Sequence, residues 1–145
     1  MTIKVAFYTG NGGLLNKTIR WGTNSQVSHV ELVDHDDICW SSSHTDGGVR
    51  RKKINLKSGN WKVIPVAWAD DKAVDFVRNH LDAKYDYMGV LLSHVVSLHR
   101  HSKDKWFCSE IVAASLGLIN PHSLSPAHLE SVIKMLNAVQ DEHWV

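Results

Sequence analysis

In the first half of the chain the apolar residues fall mostly in short runs that read as strands. Beyond Asp70 they fall at helical spacing. Ile3 to Thr9 is β-rich and predicts a strand, and Gly10-Asn11-Gly12-Gly13 turns the chain. Leu14, Leu15, Thr18, Ile19 and Trp21 predict a short helix that ends at Gly22-Thr23-Asn24-Ser25. Val27 to Val33 predicts a strand with His29, Glu31 and Val33 on one face and Val30 and Leu32 on the other. Ile38 to Ser42 and Gly48 to Asn55 predict two more, joined across Asp46-Gly47-Gly48 as a hairpin. Trp61 to Trp68 predicts a further apolar strand.

Asp70 or Asp71 then caps a helix with Ala73, Val74, Val77 and Leu81 on its apolar face. Tyr85-Asp86-Tyr87 leads into a second apolar helix from Met88 to about Leu98, and His99 to Lys105 reads as a polar loop. Phe107-Cys108-Ser109-Glu110 opens a third helix, with Gly117 near its end. Ser125-Pro126 starts the last, Ser as cap and Pro at the first helical position. Strands followed by helices without strict alternation predict an α+β fold, an antiparallel sheet packed against helices.

At 145 residues the chain suits a single domain, 1–145. A net charge of +1 argues against a nucleic-acid partner. The longest apolar stretch, Met88 to Leu98, is broken by Ser93 and His94, so no integral membrane segment is expected. The first residues do not resemble a signal peptide, and the expected location is cytoplasmic. Two cysteines exclude a disulfide scaffold and a four-cysteine zinc site. His94, His99 and His101 lack a recognised ligand spacing and read as solvated, so no metal or cofactor is called for. A zinc enzyme built on them is the weakest of three function classes.

Cys108 carries the main chemical signal. A cysteine at a helix start meets unpaired N–H groups and the positive end of the dipole, which favour a thiolate. The same N–H groups suit an oxyanion. A thiol nucleophile also needs an imidazole. His29, held on a strand, is the best base. Glu31, Ser41, Ser43 and His44 are the candidate orienters. Glu31 comes first, because a carboxylate stabilises imidazolium better than a hydroxyl does. Cys39, inside a strand, reads as structural. Arg50-Arg51-Lys52-Lys53 reads as a solvated edge strand.

Thr23-Asn24-Ser25-Gln26-Val27-Ser28-His29-Val30-Glu31-Leu32, then Tyr85-Asp86-Tyr87, then Trp106-Phe107-Cys108-Ser109-Glu110 resembles the circularly permuted branch of NlpC-type papain-like cysteine peptidases. This is the YiiX/YebB-like group, related to lecithin retinol acyltransferase-like enzymes. The resemblance implies a permuted papain-like fold in which the histidine strand precedes the cysteine helix. It implies Cys108 as nucleophile, His29 as base, and Tyr85 and Tyr87 lining the cleft, with Trp106 beside them. It implies cleavage of an amide bond, with peptidoglycan peptides first, or of an acyl ester. A further likeness to small bacteriophage proteins extends the expected location to a host cytoplasm or a virion.

In that family the third polar residue usually lies on the strand equivalent to Ile38-Cys39-Trp40-Ser41-Ser42, which here has no carboxylate or histidine. Ser41, Glu31 from the histidine strand, or a bare Cys–His dyad remain. The same departure supports a rival class, a papain-like binding module without catalysis, such as a phage structural or host-interaction protein.

Overall fold

The structure is a computed structural model that describes residues 2–10, 27–81, 83–85 and 105–143. Five strands come first: β1 (Lys4–Tyr8), β2 (His29–Val33), β3 (Ile38–Ser43), β4 (Gly48–Lys53) and β5 (Trp61–Pro65). Helix α1 (Asp71–Arg78) follows, then the two-residue strands β6 (Lys84–Tyr85) and β7 (Lys105–Trp106). Helix α2 (Cys108–Ser115), a 3-10 turn (Pro121–Ser123) and helix α3 (Pro126–His143) close the described chain. The strands form one sheet in the order β5-β1-β2-β3-β4-β6-β7. The first five strands pair antiparallel, and β6 with β7 is parallel. The architecture is α+β, as the pattern predicts.

Several boundaries differ from the expectation. The predicted strand from Trp61 to Trp68 stops at Pro65, where proline has no N–H to give to the ladder. Asp70 is the cap of α1, its side chain accepting from Lys72 N at 2.9 Å. That helix ends at Arg78, so Leu81 is not on its buried face but 37% exposed. Tyr85 and Lys105 lie in strands rather than in a helix lead-in and a loop. Two-residue strands carry no periodicity for a sequence to display. Ser125 caps α3 as expected, its Oγ accepting from His128 N at 3.2 Å. The helices predicted from Leu14 to Trp21 and from Met88 to Leu98 lie outside the described residues.

The strand registers give the sheet two different faces. On one, Val5, Phe7, Val30, Leu32, Trp40 and Val49 join Val74, Val77, Ile111, Val112, Leu129 and Ile133 from the three helices. Burying each such side chain is worth about 1.5–3 kcal/mol. On the other face, Ala6, Val33 and Cys39 pack with Ile54, Leu56 and Trp61. Alternation along β2 puts His29 and Glu31 on this second face. Trp40 lies between two guanidinium groups, Arg51 at 5.5 Å and Arg78 at 5.3 Å from its ring centroid, and Trp68 donates to Asn137 Oδ1 at 2.8 Å. Both give structural roles to part of the tryptophan excess.

Gly48 opens β4 with φ +151°, a conformation that side chains rarely adopt. A Cβ there would stand 2.0 Å from Ala83 O, and that carbonyl accepts from Val49 N at 2.7 Å. The glycine lets the segment entering β6 dock on the start of β4.

Candidate active site

His29 is the first residue of β2 and Cys108 the first of α2. Helix α2 packs on β2 and β3, and Ser42 Oγ donates to Trp106 O at 2.6 Å, tying β3 to the segment that leads into the helix. The two starts therefore lie close together, near enough for the Cys108 sulfur to act on the His29 ring electrostatically. The ring is also held on its own strand: Nε2 donates to Glu31 Oε1 at 2.7 Å.

Glu31 has no exposed surface. A bare carboxylate buried so completely would be expensive, and Arg50 compensates it. The guanidinium is bidentate, Nη1 to Oε2 at 2.8 Å and Nη2 to Oε1 at 2.6 Å. Its Nε donates to Asp46 Oδ2 at 2.8 Å, and Lys52 Nζ stands 3.5 Å from Asp46 Oδ1. A line of alternating charge thus runs from the β3–β4 turn to the imidazole beside Cys108: Asp46, Arg50, Glu31, His29.

The proton affinities follow from these contacts. Burial pulls the His29 imidazole down, but the Cys108 sulfur and the Glu31 carboxylate outweigh it and hold the ring up at about 10. Burial alone would raise Glu31. The hydrogen bonds from Arg50 and His29 reverse that and hold the carboxyl below its ordinary value. Cys39, buried on the same face and near Glu31, is pushed up to about 12. It is a protonated thiol at neutral pH, which fits the structural role expected of it.

The start of α2 supplies donors. Phe107 makes no side-chain cap, and the first intrahelical bond runs from Ile111 N to Phe107 O at 3.1 Å. The N–H groups of Cys108 and Ser109 therefore have no acceptor within the helix. Beside His29 a cleft of about 210 Å³ opens on the second face of the sheet, its walls including Tyr8, Glu31, Asp46 and Trp61. Tyr8 and Trp61 pack at 5.1 Å between ring centroids, and Trp61 meets the His29 ring edge-on at 6.4 Å.

No family model matches the chain, and no curated protein matches it in sequence. A solved structure does. The chain is similar in fold to the metalloprotein YiiX of Escherichia coli O157:H7, a DUF1105 protein, with a TM-score of 0.56 and 18% identity over 81% of this chain and 67% of that one. Among the described residues here, no group of three or more His, Cys, Asp and Glu side chains is arranged to hold a metal ion. No helix among them is long and apolar enough to cross a membrane.

Of the residues expected at the site, Cys108, His29 and Glu31 come together. Ser41 does not face the imidazole: its buried hydroxyl donates to Val30 O at 2.7 Å. Ser43 and His44 line the cleft. Trp106 is 8% exposed and packs edge-on against Phe76 and His80 rather than in the cleft. Tyr85 contributes a backbone position in β6. Tyr87, His94, His99 and His101 lie outside the described residues.

Arg50 is the residue that sequence reasoning missed. The run Arg50 to Lys53 reads as a solvated edge, whereas Arg50 pairs across β3 opposite Ser41 and turns inward to Glu31. A signal was present in the Val30-Glu31-Leu32-Val33 strand, since a carboxylate in so apolar a run calls for a cation. Tyr8 and Trp61, the aromatic wall of the cleft, were also read only as strand residues.

Proposed function

We propose that the protein is a cysteine hydrolase of permuted papain-like type, cleaving an amide or ester bond through Cys108. One observation carries the reading: a cysteine at a helix start stands beside a histidine whose Nε2 is held by a buried glutamate. In the reaction the Cys108 thiolate adds to the substrate carbonyl carbon. The carbonyl electron pair moves onto oxygen, where the N–H groups at the start of α2 receive it. Collapse of the adduct breaks the bond to the amine or alcohol. His29 gives that leaving group the proton the thiol had lost. His29 then takes a proton from water as it attacks the acyl-enzyme, and the acid and the thiol are restored.

The substrate class rests on the sequence resemblance, which favours peptides, peptidoglycan stems among them, ahead of acyl esters. A reduced compartment such as the cytoplasm suits a working thiol. The case for a non-catalytic module rested on the missing carboxylate of the Ile38–Ser42 strand. Glu31 now offers one from the histidine's own strand.

The test is iodoacetamide alkylation at about pH 6–7, with peptide mapping to separate Cys108 from Cys39. Rapid labelling of Cys108 that H29A slows supports the enzyme, since an activated thiolate forms well below about 8.5. A Cys108 that stays inert until denaturation supports the binding module. On a substrate found by screening peptides, peptidoglycan fragments and acyl esters, full turnover by C108A would overturn the mechanism.

A further inference from the structure

The bidentate clamp on Glu31 goes beyond what a Cys–His pair requires. We infer that Arg50 is a positioning residue for the cysteine chemistry, fixing Glu31 in its ionised form and aiming Oε1 at His29 Nε2, so that the imidazole is held beside Cys108. This inference rests on the reading of Cys108 and His29 as nucleophile and base.

The geometry supports it at each link. Glu31 is fully buried and cannot draw on water. Its two oxygens are both taken by Arg50, and one of them is shared with His29. A planar fork that meets both oxygens fixes the plane of the carboxylate as well as its charge. With that plane fixed, the histidine two residues earlier has one direction in which to donate. Arg50 is itself held, because its Nε donates to Asp46. The guanidinium therefore cannot swing to solvent without breaking three hydrogen bonds.

The charged and titratable groups around Glu31 come from every element that packs there. They are Tyr8 from β1, His29 from β2, Cys39 from β3, Arg50 and Lys52 from β4, His44 and Asp46 from the β3–β4 turn, and Cys108 from α2. Within this set Arg50 is the cation that bonds both Glu31 oxygens. Without it, burial would favour the neutral carboxyl and Glu31 would take up a proton at higher pH. A neutral Glu31 no longer supports a charged imidazole, and the thiolate loses its partner. The acid limb of Cys108 reactivity would then move upward in pH.

The experiment measures the rate of iodoacetamide alkylation of Cys108 against pH in the full chain, for the parent, R50Q and R50K, each also with H29A. Circular dichroism checks folding. In R50Q the acid limb is expected to move up by about one pH unit or more. R50K, which keeps the charge but not the fork, is expected to move less and keeps the test usable if R50Q does not fold. With H29A in place the arginine substitutions are expected to add nothing, because Arg50 acts through the histidine. Superimposed profiles for the parent and both arginine variants would overturn the inference. So would an R50Q or R50K shift of equal size in the H29A background, which would mark a direct field effect on the sulfur. If H29A leaves the parent profile unchanged, the hydrolase reading itself falls and Arg50 falls with it. If H29A slows labelling while R50Q and R50K do not, only the role of Arg50 falls.

Discussion

The two faces of the sheet bury their side chains by different means. On the helix face Val30, Leu32 and Val49 are buried under apolar side chains, and the buried hydroxyls of Ser42 and Ser109 each donate to a backbone carbonyl. On the other face Glu31 and Ser41 are buried just as completely, yet each is bonded by name: Glu31 to Arg50 and His29, Ser41 to a backbone carbonyl. The apolar face tolerates approximate packing, because dispersion and burial have little direction. The polar face does not, because a lost partner leaves a desolvated charge. A fold can therefore carry a reactive histidine on the side where every contact is directional, provided the other side supplies the stability.

The contrast is most exposed to substitution at Glu31. E31A removes the acceptor for His29 and strands Arg50. The expected result is a fall in Cys108 labelling of about 100-fold or more, together with a loss of about 3–5 kcal/mol by urea unfolding. Next comes Leu32 on the apolar face. L32A should cost about 2–5 kcal/mol while the folded fraction labels at the parental rate. If L32A also disabled labelling, the two faces would not be separable.

The pH dependence of stability is expected to come from the polar face. Glu31 titrates below its ordinary 4.5 in the fold, so its contribution is complete above that value and fades as pH falls through the lowered one. His29 titrates at about 10 instead of 6.5, so its contribution is complete below 6.5 and fades as pH rises through about 10. Urea midpoints for the parent and H29Q should therefore converge above pH 10, and those for the parent and E31Q should converge in strong acid. The smallest effect is expected at Ser41. S41A should cost about 1 kcal/mol and leave the labelling profile in place. A profile that moved would make the hydroxyl a partner of the imidazole after all.

The sequence made much of the site legible because its key relations are local. His29 and Glu31 share a face by the period of a strand, and Cys108 lies where an apolar helix opens after a polar stretch. Arg50 was hidden because its role depends on register between strands that are distant in sequence. Alternation along Arg50-Arg51-Lys52-Lys53 says which pairs share a face, not which face meets Glu31. Leu81 misled for a different reason: its spacing continues the α1 pattern, but the helix ends at Arg78 with Asn79 as its cap. Fold class needed only the broad order of strands and helices, and so it was readable.

The glycine at the start of β4 has a consequence for how this chain can vary. Where Ala83 O leaves no room for a Cβ, Gly48 works as a fixed mark on the hairpin, and Arg50 lies two residues beyond it. One residue fewer in that interval would present Arg51 to Glu31 in place of Arg50, and one more directly after Gly48 would turn Val49 out of the core. Length changes in this lineage should therefore collect in the turn before Gly47, while the step from Gly48 to Arg50 keeps its count.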